Sequence, residues 1–374
     1  MSTNVVISGT GLWIPDHTLT NEELVSCYND HADQYNLEYA EAIEAGTVKA
    51  KSHSSAAFIE KASGIKSRYI YIKDGVLDLD RMRPNIPKRP NDMISDQAEM
   101  AIHAAKKAIE SANKRPEDID AVIVSCAYTQ RSYPAIAIEV QEALGIEGFG
   151  FDMLVACSAG TFGLHRAYEM VKAGTAKCVL AINPELTSPQ VNYKDRDSHF
   201  IFGDVSIATI VEDKATCQSD TAFEVLSTKA FTKYSNNIRS NFGYVLNAND
   251  SDPLGDDQYF SQKGRTVFKE VCPLAAQHLS DHLTKLGLAT TQIKRWWIHQ
   301  ANINMNRLIC KLLLNRQPSE EEAPTVLDEF ANTASAGSLI AFNRFHKDIQ
   351  QGEYGVICSF GAGYSIGSLI VQRI

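Results

Sequence analysis

The sequence has no excess of positive charge. Its 36 lysines and arginines are outnumbered by 45 aspartates and glutamates, which leaves a formal net charge of -9. Proteins that bind nucleic acids or membrane surfaces through general electrostatics need the opposite balance. The charge therefore argues against both classes, and we expect neither a nucleic-acid partner nor a membrane partner.

Long apolar runs are also missing. No stretch reaches the ~20 residues of a membrane-spanning helix. The N-terminal segment, MSTNVVISGTGLWIP, lacks the basic head and apolar stretch of a signal peptide and resembles a first strand. We therefore expect a cytoplasmic protein, whose 374 residues suffice for one large core or two packed halves.

Paired cysteines are the third absence. The eight cysteines are scattered and form no C-x-x-C pair, which argues against a zinc site and against a disulfide framework. We expect no metal and no cofactor, most cysteines reduced and structural, and one of them reactive.

That cysteine lies in the segment FDMLVACSAGTFGLHRAYEMV, residues 151–171. Phe151 to Ala156 reads as a short buried strand end, small residues allow a tight turn, and apolar residues then recur at helical spacing. Cys157 should therefore lie beside a helix N-terminus, where the helix dipole favours a thiolate over a thiol. The alternative is a buried cysteine that only fills space.

The first half of the chain alternates strands with helices, which predicts an α/β layered domain. Strands are predicted at 5–7, 120–126, 177–182 and 201–212, and helices from Thr20, from Ser95 and before Gly145. Two inserted segments have no clean period. We interpret 25–57 as helical turns and loop, and 71–92 as a basic, proline-rich loop that is either solvated or a docking surface for an acidic partner.

The second half repeats the first. Residues 293–301 follow a helix as residues 119–127 do, ANTASAG (331–337) corresponds to ACSAG (156–160), and FGAGYSIG (360–367) echoes FGDVSIA (202–208). We infer an internal duplication with halves at 1–213 and 222–374. Two such halves can pack about a pseudo-twofold axis, which would bring the turns that carry Cys157 and Asn332 to one site.

Cys157, His299 and Asn332 together have the chemistry to catalyse the formation of a carbon–carbon bond between two substrates. A thiolate stores an acyl group, and histidine and carboxamide donors can hold a carbonyl oxygen as it becomes an enolate. A cysteine hydrolase would use the same residue types differently, with histidine as the base. The alternative for His299 is a purely structural role, as a buried core histidine after an apolar strand.

Four motifs in order resemble the β-ketoacyl-acyl-carrier-protein synthase III family of the thiolase superfamily. They are VACSAGTFG (155–163), IHQAN (298–302), ANTASAG (331–337) and SFGAGYSIGS (359–368), supported by GTGLWIPDHTLTNEEL (9–24), IFGD (201–204) and GRTVFKE (264–270). The resemblance implies a five-layered αβαβα thiolase fold, a homodimer, and decarboxylative Claisen condensation of acyl coenzyme A and acyl-carrier-protein thioesters.

The resemblance also implies roles for matching residues. Cys157 would accept the primer acyl group, His299 and Asn332 would bind the extender thioester and its enolate, and backbone N–H groups of Cys157 and Ala362 would form the oxyanion hole. Further substrate contacts are implied for Arg196 on the adenine side, Phe268, Asn302 and Gly363 along the pantetheine tunnel, and Tyr133, which would reach across the dimer.

The chain departs from the family pattern on the coenzyme A side. Phe58 replaces the adenine-stacking tryptophan, Ala62 replaces an arginine, and Asn304 replaces a carrier-docking arginine, although Lys269, Arg307 and Lys311 are present. Val205 replaces the family's usual glycine after IFGD, and Gly337 and Leu339 replace the serine and proline of its asparagine motif. These departures indicate a specialised ketosynthase whose primer is carrier-bound or long.

Three alternatives remain open on the residues alone. A ketosynthase–cyclase of the dialkylresorcinol or stilbene type could use Glu185 as an extra base, although a structural role for Glu185 is the simpler interpretation. A non-decarboxylative acyltransferase would not need Asn332. A non-catalytic binding module would not require all three site residues.

Overall fold

The computed structural model describes residues 3–245, 252 and 255–374. One mixed sheet of nine strands runs through them in the order β11-β12-β13-β8-β1-β7-β6-β4-β5. None of the helices in these residues is long and apolar enough to cross a bilayer.

Residues up to 213 contribute five strands of the large sheet. The strands of this part, with the small pair β2 and β3, are β1 Val5–Trp13, β2 His17–Thr20, β3 Ser67–Ile70, β4 Ala121–Cys126, β5 Phe149–Leu154, β6 Cys178–Glu185 and β7 Val205–Asp213. The helices are α1 Asn21–Glu38, α2 Ala40–Glu44, α3 Ala56–Ser63, α4 Asp96–Ser111, α5 Ile136–Leu144 and α6 Ala159–Lys172.

The rest of the chain contributes four strands to the same sheet. The strands are β8 Phe223–Ser235, β9 Ile238–Ser240, β10 Phe260–Gln262, β11 Ile293–Ile298, β12 Tyr354–Gly361 and β13 Gly363–Arg373. The helices are α7 Gly264–Lys285, α8 Ile303–Leu314, α9 Leu327–Phe330 and α10 Gly337–Arg344.

The strand order repeats about the short β1–β8 contact. Outward from it, β1, β7, β6 and β4 run antiparallel, antiparallel and parallel. On the other side, β8, β13, β12 and β11 do the same. Only β5, at the edge, has no counterpart among the strands described. The repeated order is what a duplication produces, and the boundaries 1–213 and 222–374 stay a prediction.

Three apolar cores separate five layers. One core joins α4 and α5 to the outer face of the first strand set, and another joins α7 and α8 to the outer face of the second. The third lies between the two sets around α6 and α10. The predicted αβαβα layering is therefore the architecture observed, and α6, which follows Cys157, lies in its central layer.

Several helix predictions are confirmed. Thr20 caps α1 with the full capping box to Glu23, Ser95 caps α4, and Gly145 ends α5 in the left-handed conformation.

Glycine at position 9 allows β1 to approach α4, because a Cβ there would lie 2.7 Å from the Ala108 carbonyl oxygen. β1 therefore continues through its glycines and does not end at Ile7.

Four local predictions are wrong or incomplete. Residues 25–38 belong to the regular helix α1, whose buried stripe is so narrow that its period is hidden by polar residues. β5 is partly exposed because it is an edge strand. β6 extends to Glu185. Residues 201–204 precede β7 as a loop, in which Phe202 bridges Asn332.

The basic loop 71–92 contains neither helix nor strand, as predicted. Arg89 is already ion-paired with Asp96 and Glu99 of α4, at 2.7 and 2.8 Å. The Arg81 guanidinium donates to the Arg83 carbonyl oxygen at 3.0 Å. These two cations therefore hold the loop in place, and its role as a docking surface stays a prediction.

Candidate active site

Cys157 lies in a sharp turn between strand and helix. β5 ends at Leu154, residues Ala156–Ser158 form one 3-10 turn, and α6 begins directly after it. Ala156 has a φ of 45°, in the left-handed region that residues with a side chain adopt at a cost. The turn presents Cys157 at the N-terminal end of α6, where the sequence predicted it.

The resting state of the Cys157 thiol differs from the prediction. The helix terminus favours a thiolate, but burial, together with a smaller effect of the nearby Glu185 carboxylate, raises the pKa of Cys157 to about 12. The thiol is therefore the resting form of this site. Its proton has to be transferred when the sulfur attacks.

His299 follows β11 and is a neutral imidazole. Its residue is 2% exposed, and its ring packs edge-on against Phe360 with centroids 5.0 Å apart. Burial lowers the pKa of His299 to about 3. Nδ1 is buried and has no hydrogen-bond partner among the described residues. A neutral ring has one N–H to donate, which suits a carbonyl or enolate oxygen.

Asn332 is held on both sides by the loop before β7. Its N–H donates to the Ile201 carbonyl oxygen at 2.9 Å, and its carbonyl oxygen accepts from the Gly203 N–H at 3.1 Å. The side-chain Oδ1 accepts from the Ala334 N–H at 3.0 Å. Because the oxygen is occupied, the Nδ2 donors are the end of the amide available to a ligand.

Close backbone contacts bring the three turns together. A Cβ on Gly361 would lie 2.7 Å from the Cys157 Cβ, so β12 ends directly against the nucleophile. Phe360, one residue earlier, contacts His299. A Cβ on Gly160 in α6 would lie 2.5 Å from the carbonyl oxygen of Ser335, three residues after Asn332. The structure thus gathers the three predicted residues around one site.

The backbone donors proposed for an oxyanion hole lie beside this contact. Ala362 and the exposed Gly363 form the tip between β12 and β13, immediately after Gly361. Neither the Cys157 N–H nor the Ala362 N–H is used in a backbone hydrogen bond within the described ranges. Both are therefore candidate donors to an oxygen on acylated Cys157, and the Cys157 N–H also lies within reach of its own sulfur.

The residues expected on the substrate side are not all free to bind. The Arg196 guanidinium lies 4.0 Å over the Phe58 ring and donates through Nε to the His53 carbonyl oxygen at 2.8 Å. One face of the ring that would stack on adenine is thus covered by the protein itself.

Asn302, Phe268 and Tyr133 have different surroundings. The Asn302 side chain caps α8 and donates to the Ala62 carbonyl oxygen at 2.8 Å, so its amide is already engaged. Phe268 is half-buried against the core of the second half. Tyr133 is 84% exposed, on the loop before α5.

Glu185 is fully buried at the end of β6. Both of its oxygens accept from the Ala127 N–H at 3.2 Å. Oε1 also accepts from the N–H of Ser335 at 3.2 Å and from its hydroxyl. Burial raises the pKa of Glu185 to about 7. These contacts engage the carboxylate, which does not fit a freely accessible base.

Sequence reasoning missed two residues of this network, Ser335 and Asp204. Asp204 is fully buried, and its carboxylate accepts from the backbone N–H groups of Tyr71, Thr187 and Ser188 at 2.7 to 2.9 Å. It thereby holds the loop that grips Asn332. The signal was present, since Asp204 belongs to the IFGD motif, but its partners lie elsewhere in the chain.

A large cavity lies outside the three-residue site. It measures about 1190 Å³ and is lined mostly by polar residues of the inserted segments and of residues 192–198 and 256–265, among them His31, Lys51, Asp195, Phe260 and Arg265. It contains neither Cys157 nor Asn332. Asp195 and Asp197, which line it, flank Arg196, and we call this cavity the vestibule.

Comparisons with known proteins agree with this geometry. The 3-oxoacyl-[acyl-carrier-protein] synthase III family matches residues 151–233, and the C-terminal domain of that synthase matches residues 283–373. The β-ketodecanoyl-[acyl-carrier-protein] synthase of Pseudomonas aeruginosa is 49% identical over 92% of this chain and 99% of that protein.

More distant relatives share the whole length. A β-ketoacyl-[acyl-carrier-protein] synthase III of Granulibacter bethesdensis is 27% identical over 98% of both chains. The crystal structure of the Aquifex aeolicus synthase III superimposes with a TM-score of 0.76 at 23% identity, covering 98% of this chain and 99% of that one. The last similarity bears on the fold alone.

Proposed function

The chain belongs to the β-ketoacyl-acyl-carrier-protein synthase III family of the thiolase superfamily, whose members are condensing acyltransferases, and from this premise we propose the role of each site residue. The observation that carries the assignment is the contact of Gly361 with Cys157. Because Phe360, the residue before Gly361, packs against the His299 ring, this contact supports one shared site for the nucleophile, His299 and the two backbone donors.

The first half-reaction transfers the primer acyl group. The Cys157 sulfur attacks the thioester carbonyl, the carbon–sulfur bond to the carrier breaks, and the thiol proton passes to the leaving carrier sulfur. The N–H groups of Cys157 and Ala362 stabilise the oxyanion. Because the pKa of Cys157 is about 12, a stable thiolate does not form before the attack. The thiol proton therefore has to leave as the sulfur attacks.

The second half-reaction forms the carbon–carbon bond. A malonyl thioester loses CO2, and the His299 N–H and the Asn332 Nδ2 donate to the oxygen of the resulting enolate. The enolate carbon attacks the acyl carbonyl on Cys157, the carbon–sulfur bond breaks, and a β-ketoacyl carrier thioester leaves. The released Cys157 sulfur takes up one proton from solvent, which restores the resting thiol. No cofactor enters either step, since both substrates bring an activated thioester.

We further propose a medium-chain primer. The Pseudomonas relative is named for a β-ketodecanoyl product. Decarboxylative condensation adds two carbons, so a ten-carbon product needs an eight-carbon primer. The contact of Arg196 with Phe58 supports a departure from the family's usual handling of acetyl coenzyme A, because it covers one face of the stacking ring.

A carrier protein is the expected partner on the vestibule side. Lys61, Arg265, Lys269, Arg307 and Lys311 are exposed on α3, α7 and α8 and form no ion pair with the described residues. Asn304 donates to the carbonyl oxygens of residues 61 and 62, which joins α8 to α3. In a chain of net charge -9, this group of cations suits an acidic partner.

The proposed homodimer is supported by the edge of the sheet. β5 has an unpaired side, and exposed Phe149 and Leu154 lie at its two ends, with Tyr133 on the loop before α5. Open edges of this kind are normally covered. Light scattering at micromolar concentration tests this point: a mass of one chain would contradict it. A cytoplasmic location stays a prediction.

Intact-protein mass spectrometry tests the proposed function. The protein is incubated with acyl coenzyme A and acyl-carrier-protein thioesters from two to fourteen carbons, with Cys157→Ala as the control. We expect an acyl adduct on the wild type only, fastest near eight carbons. A fastest adduct from acetyl coenzyme A would contradict the medium-chain proposal, and no adduct from any donor would contradict the role of Cys157.

Adding malonyl carrier protein completes the test. We expect a β-ketoacyl carrier thioester two carbons longer than the primer. A ring product would instead identify the ketosynthase–cyclase alternative. Transfer of the primer to an alcohol or amine, without loss of CO2, would identify the acyltransferase alternative.

A further inference from the structure

Glu185 is a carboxylate that the two half-reactions do not use, yet it is wholly buried. Burying an acidic group is costly unless strong donors surround it. No lysine or arginine in the described part of the chain pairs with it. Its donors are the Ala127 N–H and the N–H and hydroxyl of Ser335. Glu185 therefore fixes the backbone and the side chain of Ser335 through these two hydrogen bonds.

Ser335 belongs to the same turn as Asn332. The Asn332 Oδ1 is oriented by the Ala334 N–H at 3.0 Å, and the next residue, Ser335, binds Glu185 twice. Ala334 has a φ of 46°, a conformation that alanine adopts at a cost. External contacts have to hold such a turn, and those of Glu185 act one residue from the N–H that orients the Asn332 amide.

The turn of Cys157 is held by other contacts. The Ser158 hydroxyl donates to the Ser365 carbonyl oxygen at 2.9 Å, and Gly361 packs against the Cys157 Cβ. Neither contact involves Glu185. A loss of the Glu185–Ser335 contact should therefore loosen the Asn332 turn more than the Cys157 turn.

We propose that Glu185, acting through Ser335, is a positioning residue for Asn332 in the decarboxylation step. This inference rests on the proposed function, because it assumes that Asn332 binds the malonyl thioester and its enolate. It assigns the buried carboxylate a role distinct from that of a base. Removal of the contact at Ser335, which keeps the Glu185 carboxylate, should slow decarboxylation and leave acylation of Cys157 nearly unchanged.

The two half-reactions can be measured separately on the full chain. Acylation of Cys157 by octanoyl thioesters is followed by intact mass, and decarboxylation of malonyl carrier protein by the acetyl carrier protein formed. The variants are Glu185→Ala, Glu185→Gln, Ser335→Ala and Ser335→Thr. Glu212→Gln is the matched control, since Glu212 is an equally buried carboxylate that pairs with Lys114 in the loop after α4.

We expect Glu185→Ala and Ser335→Ala each to lower kcat for decarboxylation by roughly tenfold or more, because small displacements of a positioned donor have large effects. The KM should stay within about threefold, and so should the acylation rate of Ser335→Ala, which keeps the Glu185 carboxylate. The Glu185 variants should acylate no more slowly than the wild type, because loss of that carboxylate lowers the pKa of Cys157. Ser335→Thr should restore most of the rate. The double variant Glu185→Gln/Ser335→Ala should be no slower than the slower single variant, since both remove one contact.

Equal loss of both half-reactions, unchanged decarboxylation, or multiplicative loss in the double variant would overturn the inference. If Glu185→Ala does not fold, Ser335→Ala and Glu185→Gln carry the test. Asn332→Ala serves as the reference. If it decarboxylates normally, the proposed function itself fails, whereas slow Asn332→Ala with normal Ser335→Ala removes only the role of Glu185.

Discussion

Replacing Gly361 by alanine should push the nucleophile out of place. The added Cβ would lie 2.7 Å from the Cys157 Cβ, 3.0 Å from its nitrogen and 3.2 Å from its Cα. Carbon atoms in favourable contact are about 3.5 Å or more apart, so the two segments have to separate by roughly 0.8 Å. Gly361 is paired with Ser365 in the β12–β13 ladder, which leaves the Cys157 turn as the part that moves.

The size of the effect follows from this displacement. A misplacement of about 1 Å at a reacting group can cost roughly a hundredfold in rate, so we expect Gly361→Ala to acylate Cys157 between about tenfold and a hundredfold more slowly. Overpacking of a dense interior also costs about 1–3 kcal/mol of stability. Both losses should appear, and only the first concerns the reaction.

Gly9→Ala separates the two losses. Its Cβ would lie at the same 2.7 Å, from the Ala108 carbonyl oxygen, between β1 and α4 and remote from Cys157. Thermal unfolding should show both variants destabilised, whereas acylation measured by intact mass should be slow in Gly361→Ala alone. If the Gly361 variant acylates as fast as the Gly9 variant, the assignment of this contact to the active site is refuted.

Three further predictions concern stability. Phe342→Ala should cost about 3–5 kcal/mol of unfolding free energy in denaturant titration, because the ring is 2% exposed and packs against Trp297 and Phe223; a loss under about 1 kcal/mol would contradict this. Thr20→Ala should cost about 1 kcal/mol, since it removes one side of the α1 capping box, and an unchanged melting temperature would count against it. Burial holds the pKa of His282 at about 3, below its ordinary 6.5, so the stability it contributes is present above pH 6.5 and is lost as the pH falls from 6.5 toward 3. His282→Gln should reduce the slope of the stability–pH curve between these two values by about one proton, and an unchanged slope would exclude His282 as the cause.

Short-range signals determined much of this protein from the sequence. The capping residues Thr20 and Ser95 and the left-handed Gly145 act on neighbouring backbone groups, so the sequence predicted these helix ends directly. The turn that presents Cys157 has the same local origin. The order of the motifs indicated the family, and their repetition anticipated the repeated strand order about β1 and β8.

Only the tertiary structure decided how the site residues are held. Glu185 and Ser335 are 150 residues apart in the chain. Residues 201–204 have the composition of a strand, yet they form a loop in which Phe202 bridges Asn332, a residue distant in the sequence. Burial, which outweighs the effect of the helix terminus, keeps Cys157 protonated. The contact of Arg196 with Phe58 joins two segments that no local sequence pattern relates. Local residues choose a backbone conformation, whereas hydrogen-bond partners, burial and pKa depend on groups that meet only when the chain is folded.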